Sequence, residues 1–301
     1  MFNPFKPDPK NPNNLAFTIN RKVPLVIDPA FPTQSWEKIR VKYQVDALAE
    51  HDLSSFPDEK PDNSVRVVCI SDLHNRYKNM PRIPPGDILV ISGDLTMAGS
   101  PGEIETFVAW LLSIDGFQHI VFTAGNHDIS LDTEYYKKTF RIKEVMNEKQ
   151  RTKASISIRK KVRGLSSRNI HYLENESITL NGLKFWGSPV TPEFCNWSFA
   201  KNRGLKIDEV WEKIPNDTDV VITHGPPAGI GDINERERIN CGCINLLWHI
   251  SERVKPKLHI FGHIHEARGV FTDGTTNFVN CAICTRKYRP ENVPIIVDVK
   301  L

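Results

Sequence analysis

The chain has 301 residues, more than a usual single domain but within the range of one α/β unit with an extension. Its 39 Lys and Arg against 36 Asp and Glu give a formal net charge of +3. This charge balance excludes a strong overall positive potential and argues against nucleic acid or an anionic membrane as a partner. No stretch approaches the roughly twenty apolar residues of a membrane span, and the first residues lack the pattern of a secretory signal. We therefore expect a soluble, cytoplasmic protein.

Residues 1–64 differ from the rest of the chain in amino-acid composition and hydrophobic pattern. They are rich in Pro, Asn, Asp and Lys, and their apolar pieces, such as VPLVI and WEKIRVKYQV, are short. From Val65 onward, apolar runs of β type alternate with segments of helical period. The sequence predicts a partly extended N-terminal extension over residues 1–64 and one domain over residues 65–301, with the boundary near Ser64.

Five apolar runs after this boundary are predicted strands, and each is followed by polar residues. They are VRVVCI before Asp72 and His74, DILVIS before Asp94, HIVFTA before Asn126, DVVIT before His224, and KLHIF before His263 and His265. Ligands of α/β sheets bind beyond the carboxyl ends of the strands. We therefore expect these side chains to share one site.

Helix and turn signals fill the segments between these strands. Ser100, Pro101 and Glu103 form a capping-box pattern that predicts a helix start, and further helices are predicted over about 133–150, 207–214 and 241–254. Asn181-Gly182 and Asp273-Gly274 are each typical of a two-residue β-hairpin turn. The alternation of strands and helices alone allows either two packed sheets or a single doubly wound sheet.

The donor set is too large for one tetrahedral ion and large enough for two ions that share a carboxylate. Its members are Asp72, His74, Asp94, Asn126, His224, His263 and His265. Two divalent ions bring four positive charges, of which two aspartates neutralise only two, and the remainder suits a phosphate group. Mixed oxygen and nitrogen donors favour Mn, Fe, Zn, Co or Ni over Mg or Ca.

The ordered motifs Asp-x-His, Gly-Asp, Gly-Asn-His-Asp, a single strand-end His and Gly-His-x-His resemble the calcineurin-like metallophosphoesterase superfamily. The pattern spans about Val65 to His265. The strings FCNWSF, THGPP, CGCINLLWHI, KPKLHIFGHIHE and FTDGTTNFVNC further resemble its metallophosphoesterase domain-containing branch. The resemblance implies an α/β fold of a particular kind, a two-sheet α/β/β/α sandwich with helices on the outer faces.

The same resemblance implies a role for each donor. Asp72, His74 and His265 would bind one ion, Asp94 would bridge, and Asn126, His224 and His263 would hold the other, with manganese foremost among the candidate metals. A metal-bridging hydroxide would attack phosphorus. His127 would protonate the leaving oxygen or stabilise charge on the phosphoryl group, and Asp128 would orient His127.

The branch implies hydrolysis of small phosphodiesters, cyclic nucleotides among them, so we expect a small-molecule phosphodiester or nucleotide as the substrate. Asn126 and His127 would contact the phosphoryl group. Trp197 or Phe199 would stack on a base, and Asn196 or Arg286 would contact polar edges of the substrate.

Three alternatives stay open at this point. The same site would serve a nuclease or a phosphoprotein phosphatase, although the near-neutral charge weighs against a nucleic acid substrate. The chain would instead be a non-catalytic nucleotide-binding or scaffold protein if it kept only the fold, although the intact donor set argues against this reading. Lastly, Cys241, Cys243, Cys281 and Cys284 would together offer a zinc site, whereas the absence of a secretory signal predicts reduced thiols.

Two further expectations concern residues around the predicted donors. Gly93, Gly125 and Gly262 each immediately precede a predicted donor, where a side chain would crowd the site. The other histidines of the domain fit no ligand pattern, and we expect packing or surface roles for them. They are His119, His171, His249 and His259.

Overall fold

The computed structural model of the protein describes residues 6–8, 11–20, 23–48, 59–139 and 146–301. Its strands in chain order are β1 (Lys6–Asp8), β2 (Asn11–Asn20), β3 (Val23–Ile27), β4 (Asp46–Leu48), β5 (Ser64–Ile70), β6 (Ile88–Ser92), β7 (His119–Thr123), β8 (Ile170–Tyr172), β9 (Glu176–Leu180), β10 (Leu183–Ser188), β11 (Thr191–Pro192), β12 (Ala200–Lys201), β13 (Val220–Thr223), β14 (Ile233–Asn234), β15 (Ile239–Asn240), β16 (Leu258–Phe261), β17 (Gly269–Thr272), β18 (Asn277–Asn280) and β19 (Ile295–Lys300). Its α-helices are α1 (Pro32–Ile39), α2 (Pro101–Leu111), α3 (Thr133–Tyr136), α4 (Glu148–Arg163), α5 (Leu205–Trp211) and α6 (Ile244–Trp248).

Two large sheets form the domain. One has the order β19-β5-β6-β7-β8, and the other has the order β4-β17-β18-β16-β13-β10-β9. The inner strands of both sheets are parallel, and antiparallel strands occupy edges of both: β19 in the first sheet, and β9 and the β17–β4 pair in the second. Parallel strands are buried on both faces, which explains why their sequences are nearly continuous apolar runs.

The two sheets pack face to face, and helices cover their outer faces. Side chains between the sheets come from alternate positions of both, such as Val67 and Cys69 on β5 and Phe185 on β10. The intervening positions of β5, Val68 and Ile70, point to the opposite side and pack with helices α2 and α4. Helices α1, α5 and α6 cover the outer face of the seven-stranded sheet. The chain is thus the expected α/β/β/α sandwich, and the single doubly wound sheet is excluded.

Several local predictions are confirmed. Ser100 caps α2 as predicted, because its hydroxyl accepts from the Glu103 amide while the Glu103 carboxylate accepts from the Ser100 amide. The Asn181-Gly182 turn joins β9 to β10 with positive φ at both residues, 49° and 83°, as a two-residue turn of this type requires. Helix α5 starts two residues before the predicted helix over 207–214 and ends three residues short of it, and α6 with the π-helix His249–Val254 matches most of 241–254.

Two local predictions are wrong. The helix predicted over 133–150 begins correctly at Thr133, but α3 ends at Tyr136, and residues 140–145 lie outside the described part of the chain. A separate helix, α4, starts after Asn147, which forms its own capping box with Gln150. The loop at Asp273-Gly274 spans residues 273–276 instead of two, because the Asp273 carboxylate accepts from the amides of Thr275 and Thr276.

Part of the predicted N-terminal extension packs against the sandwich. Strands β1 to β3 form an antiparallel sheet of their own. Strand β4, however, pairs with β17 at the edge of the large sheet, and Ile39 of α1 is fully buried in the outer core. The boundary near Ser64 stays a prediction, and residues 28–48 contribute structure to the sandwich from before it. Within the described ranges, every helix is too short or too polar to cross a bilayer.

The cap of α2 allows a direct test of the local energetics. We expect Ser100→Ala to lower the free energy of unfolding by about 1 kcal/mol, because it removes the acceptor of an N-terminal helix amide. Ser100→Thr keeps that acceptor and is the matched control. Urea denaturation followed by circular dichroism measures both, and equal midpoints for the two variants would contradict the role of the cap.

Candidate metal centre

The predicted donors come together at one edge of the sandwich. In the five-stranded sheet, β5 leads into Asp72 and His74, β6 leads into Asp94, and β7 leads into Asn126. In the seven-stranded sheet, β13 leads into His224, and β16 leads into His263 and His265. The site is therefore built across both sheets. The packing of the two sheets determines how far apart the donors lie.

The backbone at this edge is unusual. Asp72, His74, Asp94 and His263 have φ values of 55°, 42°, 49° and 70°, in the left-handed region that L-residues seldom adopt. Such a conformation costs on the order of 1–3 kcal/mol per residue and persists only where the surrounding structure holds it. Four strained residues in one donor set indicate that the backbone is shaped for the site.

The glycines before the donors permit this close packing, as expected. A Cβ atom on Gly125 would lie 2.2 Å from Asp94 Oδ1, and one on Gly262 would lie 2.0 Å from Asp72 Oδ2. One on Gly93 would lie 2.5 Å from His224 Nδ1. Any side chain at these positions would displace a donor atom.

The first donor group consists of Asp72, His74 and His265. His265 Nε2 lies 3.2 Å from both Asp72 Oδ1 and His74 Nε2. The Asp72 carboxylate is fixed by the amide of His263, which donates to it at 2.9 Å, and His265 Nδ1 lies 3.0 Å from the Thr285 carbonyl oxygen. Asp72 and His265 are thus each held by a second contact, whereas His74 Nδ1 is buried without a hydrogen-bond partner among the described residues.

The second donor group consists of Asp94, His224 and His263. His224 Nε2 lies 3.3 Å from Asp94 Oδ1 and 3.0 Å from Asn126 Oδ1, while its Nδ1 lies 2.9 Å from the Ser92 carbonyl oxygen. The other oxygen of Asp94, Oδ2, lies 3.6 Å from His74 Nε2 in the first group. Asp94 therefore faces both groups, one oxygen atom to each.

The charges of the cluster balance one another. Burial alone would lower the pKa of His224 and of His265, but the neighbouring carboxylates Asp94 and Asp72 raise both values to about 9. Burial would raise the pKa of Asp72, but His265 lowers it to about 2. Burial also lowers the pKa of His74 to about 3. Each carboxylate thus favours a positive charge beside it, and metal ions bound there would supply that charge.

The donor set fits two divalent ions. Ligand atoms that each lie about 2.1 Å from one ion are roughly 3.0–3.5 Å from one another, close to the 3.2 Å that separates His265 Nε2 from its two partners. Imidazole and carboxylate together are the donors of borderline divalent metals. Asp72, His74 and His265 would hold one ion, and Asn126, His224 and His263 the other, with Asp94 between them.

His127 lies next to both donor groups. Its backbone amide donates to Asp94 Oδ1 at 2.8 Å, and its ring nitrogen Nδ1 lies 2.6 Å from the Met97 carbonyl oxygen. Trp197 stacks on the ring, with centroids 4.3 Å apart and 28° between the planes. The imidazole is therefore fixed in orientation by one hydrogen bond and one aromatic face.

The role predicted for Asp128 needs correction. Its carboxylate does not orient His127, because the Met97 carbonyl oxygen contacts His127 Nδ1 instead. Asp128 accepts from the amides of Leu95, Thr96 and Gly125 and from the Thr96 hydroxyl, at 2.6–3.1 Å. It ties the loop after β6 to the loop after β7, which carry Asp94 and Asn126. Burial, followed by the charge of Asp94, raises its pKa to about 6.

A cleft of about 530 Å³ opens onto the donors. Trp197 and Arg286, predicted to contact substrate, both line it, as do Asn126 and His127. Asn196 does not belong to the described lining, and its carbonyl oxygen accepts from the Tyr135 hydroxyl. Phe199 is buried in the core that packs against α2 and α4, so Trp197 is the better candidate for stacking.

Sequence reasoning missed Tyr288. Its ring meets His74 edge-on at a centroid distance of 4.8 Å and also lines the cleft. It comes from the loop between β18 and β19, which carries none of the predicted metal donors and whose placement depends on the tertiary fold. A positive φ of 56° at Tyr288 is visible only in the structure.

Among the described residues, the remaining histidines and the cysteines belong to none of the candidate metal groups. His259 is buried and its Nε2 lies 2.9 Å from the Thr223 hydroxyl, while His249 contacts Asp208 and His119 contacts His171. All six cysteines are free thiols. Among the described residues, no candidate metal group contains a cysteine, so the alternative zinc site gains no support.

Comparison with known proteins gives a consistent picture. Residues 65–267 match the family model described as calcineurin-like phosphoesterase. The chain is 38% identical over 240 residues to metallophosphoesterase domain-containing protein 1 of Homo sapiens and of Mus musculus, a match that covers 80% of this chain and 72% of each relative. It is also 40% identical over 245 residues to a UPF0046 protein of Caenorhabditis elegans, covering 80% of this chain and 83% of that protein. The family and the candidate ligands together support the binding of divalent metals.

The close approach at Gly262 generates a prediction. We expect Gly262→Ala to weaken manganese binding by about tenfold or more, because its Cβ would displace Asp72 from the first donor group. Gly164→Ala is the matched control, since a Cβ there meets nothing within 4 Å. Calorimetric titration with Mn²⁺ measures both variants, with circular dichroism to confirm folding. Unchanged affinity in folded Gly262→Ala would refute this assignment of Asp72.

Proposed function

The chain belongs to the calcineurin-like phosphoesterase family, within its metallophosphoesterase domain-containing branch, and we propose that it hydrolyses small phosphodiesters, cyclic nucleotides among them. The observation that carries the proposal is the Asp94 carboxylate, which directs one oxygen towards His74 and the other towards His224. A carboxylate placed between two groups of nitrogen and oxygen donors is the arrangement that a pair of ions requires. Manganese is the first metal to test, because these donors suit borderline divalent ions.

A bound metal pair would polarise a phosphoryl oxygen and lower the pKa of a water molecule. The chain's own residues supply the rest of the chemistry. His127 Nδ1 donates to the Met97 carbonyl oxygen, so Nε2 is the atom that would carry the proton for the leaving oxygen. Trp197, stacked on that ring, would keep Nε2 in place during the transfer.

The cleft supports a small ester in preference to a polymer. Its charged lining includes Arg203 and Arg286 but also Glu193, Glu237 and Glu266. These carboxylates would repel a polyanion, and a nucleic acid groove needs a continuous basic surface. Trp197 and Tyr288 offer aromatic surface for an organic ester group. A cyclic nucleotide has the size, single charge and planar base that this lining suits.

Catalysis by these residues is tested by metal-dependent hydrolysis of bis(p-nitrophenyl) phosphate. We expect activity with Mn²⁺ that chelation removes and that Asp94→Asn abolishes, because the shared carboxylate is lost. His127→Ala should lower kcat by about 10²–10⁴-fold, the usual contribution of a positioned proton donor. Metal content of each variant is measured in parallel.

His171→Ala is the matched control for His127→Ala, since His171 lies on β8 beside His119 and away from the donors. It should keep the rate of the unaltered protein. If the unaltered protein and Asp94→Asn show the same null rate with every metal, the chain is a binding or scaffold protein and the proposal fails.

Substrate class is tested with a panel of 2′,3′- and 3′,5′-cyclic nucleotides, linear nucleic acid and a phosphopeptide. We expect the highest kcat/KM on a cyclic nucleotide, because the acidic residues of the cleft disfavour longer anions. Release of product is followed by chromatography at fixed manganese concentration. Highest turnover on the phosphopeptide or on the polymer would instead assign the site to a phosphatase or a nuclease.

A further inference from the structure

The substrate cleft is not built by the predicted domain alone. Ala30 and Pro32, which precede β5 by more than thirty positions in the chain, line the same cleft as His74, Asp94 and His263. Ala30 is exposed and Pro32 is half-buried. Pro32 is the first residue of α1. A segment with no donor residue therefore faces the candidate metal centre across the cleft.

The hairpin β14–β15 forms the adjoining part of the wall. Asn234, Ile239 and Asn240 line the cleft. Asn240 is held from two directions: its backbone amide donates to the Thr33 hydroxyl at 2.8 Å, and its side chain donates to the Asp232 carboxylate at 2.8 Å. The hairpin is thus fastened on one side to α1 and on the other to a buried carboxylate.

Helix α1 is itself firmly seated. A Cβ on Gly229 would lie 2.3 Å from the Trp36 ring, so the indole packs directly on the backbone that leads into the hairpin. Ile39, one turn further on, is fully buried in the outer core. The Ser35 hydroxyl donates to the Asp28 carbonyl oxygen at 2.6 Å and closes the turn before the helix. The segment therefore has a fixed position relative to the cleft.

We propose that residues 28–39 form a specificity wall, which limits the size of the ester group that can enter beside the metal centre. Ala30 and Pro32 are its specificity-determining residues, because they line the cleft directly. Thr33 and Trp36 are positioning residues, which act through the hairpin. The inference rests on the proposed function only in taking phosphodiesters as the ligands.

Ala30→Trp tests the wall directly, since it adds bulk to an exposed position on the cleft. We expect KM for bis(p-nitrophenyl) phosphate to rise about tenfold, while KM for the smaller methyl p-nitrophenyl phosphate changes by less than about twofold. The value of kcat should stay close to that of the unaltered protein, because the donors and His127 are untouched. Ala30→Ser, which adds little volume, is the control.

Thr33→Val tests the positioning role with a residue of nearly the same shape. It removes the acceptor of the Asn240 amide and should raise KM for the bulky ester about threefold to tenfold at unchanged kcat. Thr152→Val is the matched control, because the Thr152 hydroxyl donates to the Glu148 carbonyl oxygen within α4, and no residue of α4 belongs to the described lining of the cleft. Melting temperatures of all variants are recorded, and Thr33→Val decides the question if Ala30→Trp fails to fold.

A binding measurement separates this inference from the proposed function. Calorimetry on the manganese-loaded protein compares inorganic phosphate with phenylphosphonate, and Ala30→Trp should weaken only the second, by about tenfold. If no phosphodiester is hydrolysed but this discrimination is seen, the proposed function fails and the wall stands. If hydrolysis is normal and neither KM nor the binding ratio changes in Ala30→Trp or Thr33→Val, the wall is refuted and the proposed function stands.

Discussion

The geometry of the site depends on the burial of one carboxylate, Asp94, between two packed sheets. It is 2% exposed, so its charge must be balanced by neighbouring groups. The balance comes from His224 on the opposite sheet, from the amide of His127, and from His74 in the loop after β5. The absence of a side chain at Gly125 leaves room for the Asp94 oxygen. One buried charge thus determines which residue types can surround it on every side.

This arrangement costs stability, and the sandwich offsets that cost. Four donors have strained left-handed backbones, and each donor loop follows a strand that is buried on both faces. The three apolar layers, one between the sheets and one beneath each helical face, hold those strands in fixed register. Neither sheet alone brings His224 within reach of Asp94. Sheet packing is therefore part of the chemistry of the site as well as of its stability.

Much of this could be predicted because the signals are local. A strand run followed by Gly and a donor places that donor at a sheet edge, and a capping box such as Ser100 with Glu103 starts a helix wherever it occurs. The failures have tertiary causes. Asp128 follows His127 directly in sequence, yet adjacent residues of a turn point in different directions, and its carboxylate meets Thr96 instead. Tyr288 joins the site only because β18 and β19 belong to different sheets, so that their connecting loop crosses the donor edge. A sequence pattern does not show which loops cross from one sheet to the other.

The same distinction separates the proposed reaction chemistry from the proposed selection of substrate. The donor atoms come from strand ends, whose positions the two sheets determine and whose residue types the ions restrict. The cleft wall comes from elements without such restrictions: the turn before α1, the β14–β15 hairpin, and the loop that carries Tyr288. Helix α1, which follows this turn, contacts the hairpin through Thr33 and Asn240 and packs on the backbone before the hairpin through Trp36 and Gly229. Changes in these elements would alter which ester fits while leaving the Asp94 cluster intact. With the proposed function, a fold that keeps one pair of metal ions would in this way serve different phosphodiesters, because the residues proposed to select the substrate are not the candidate metal ligands.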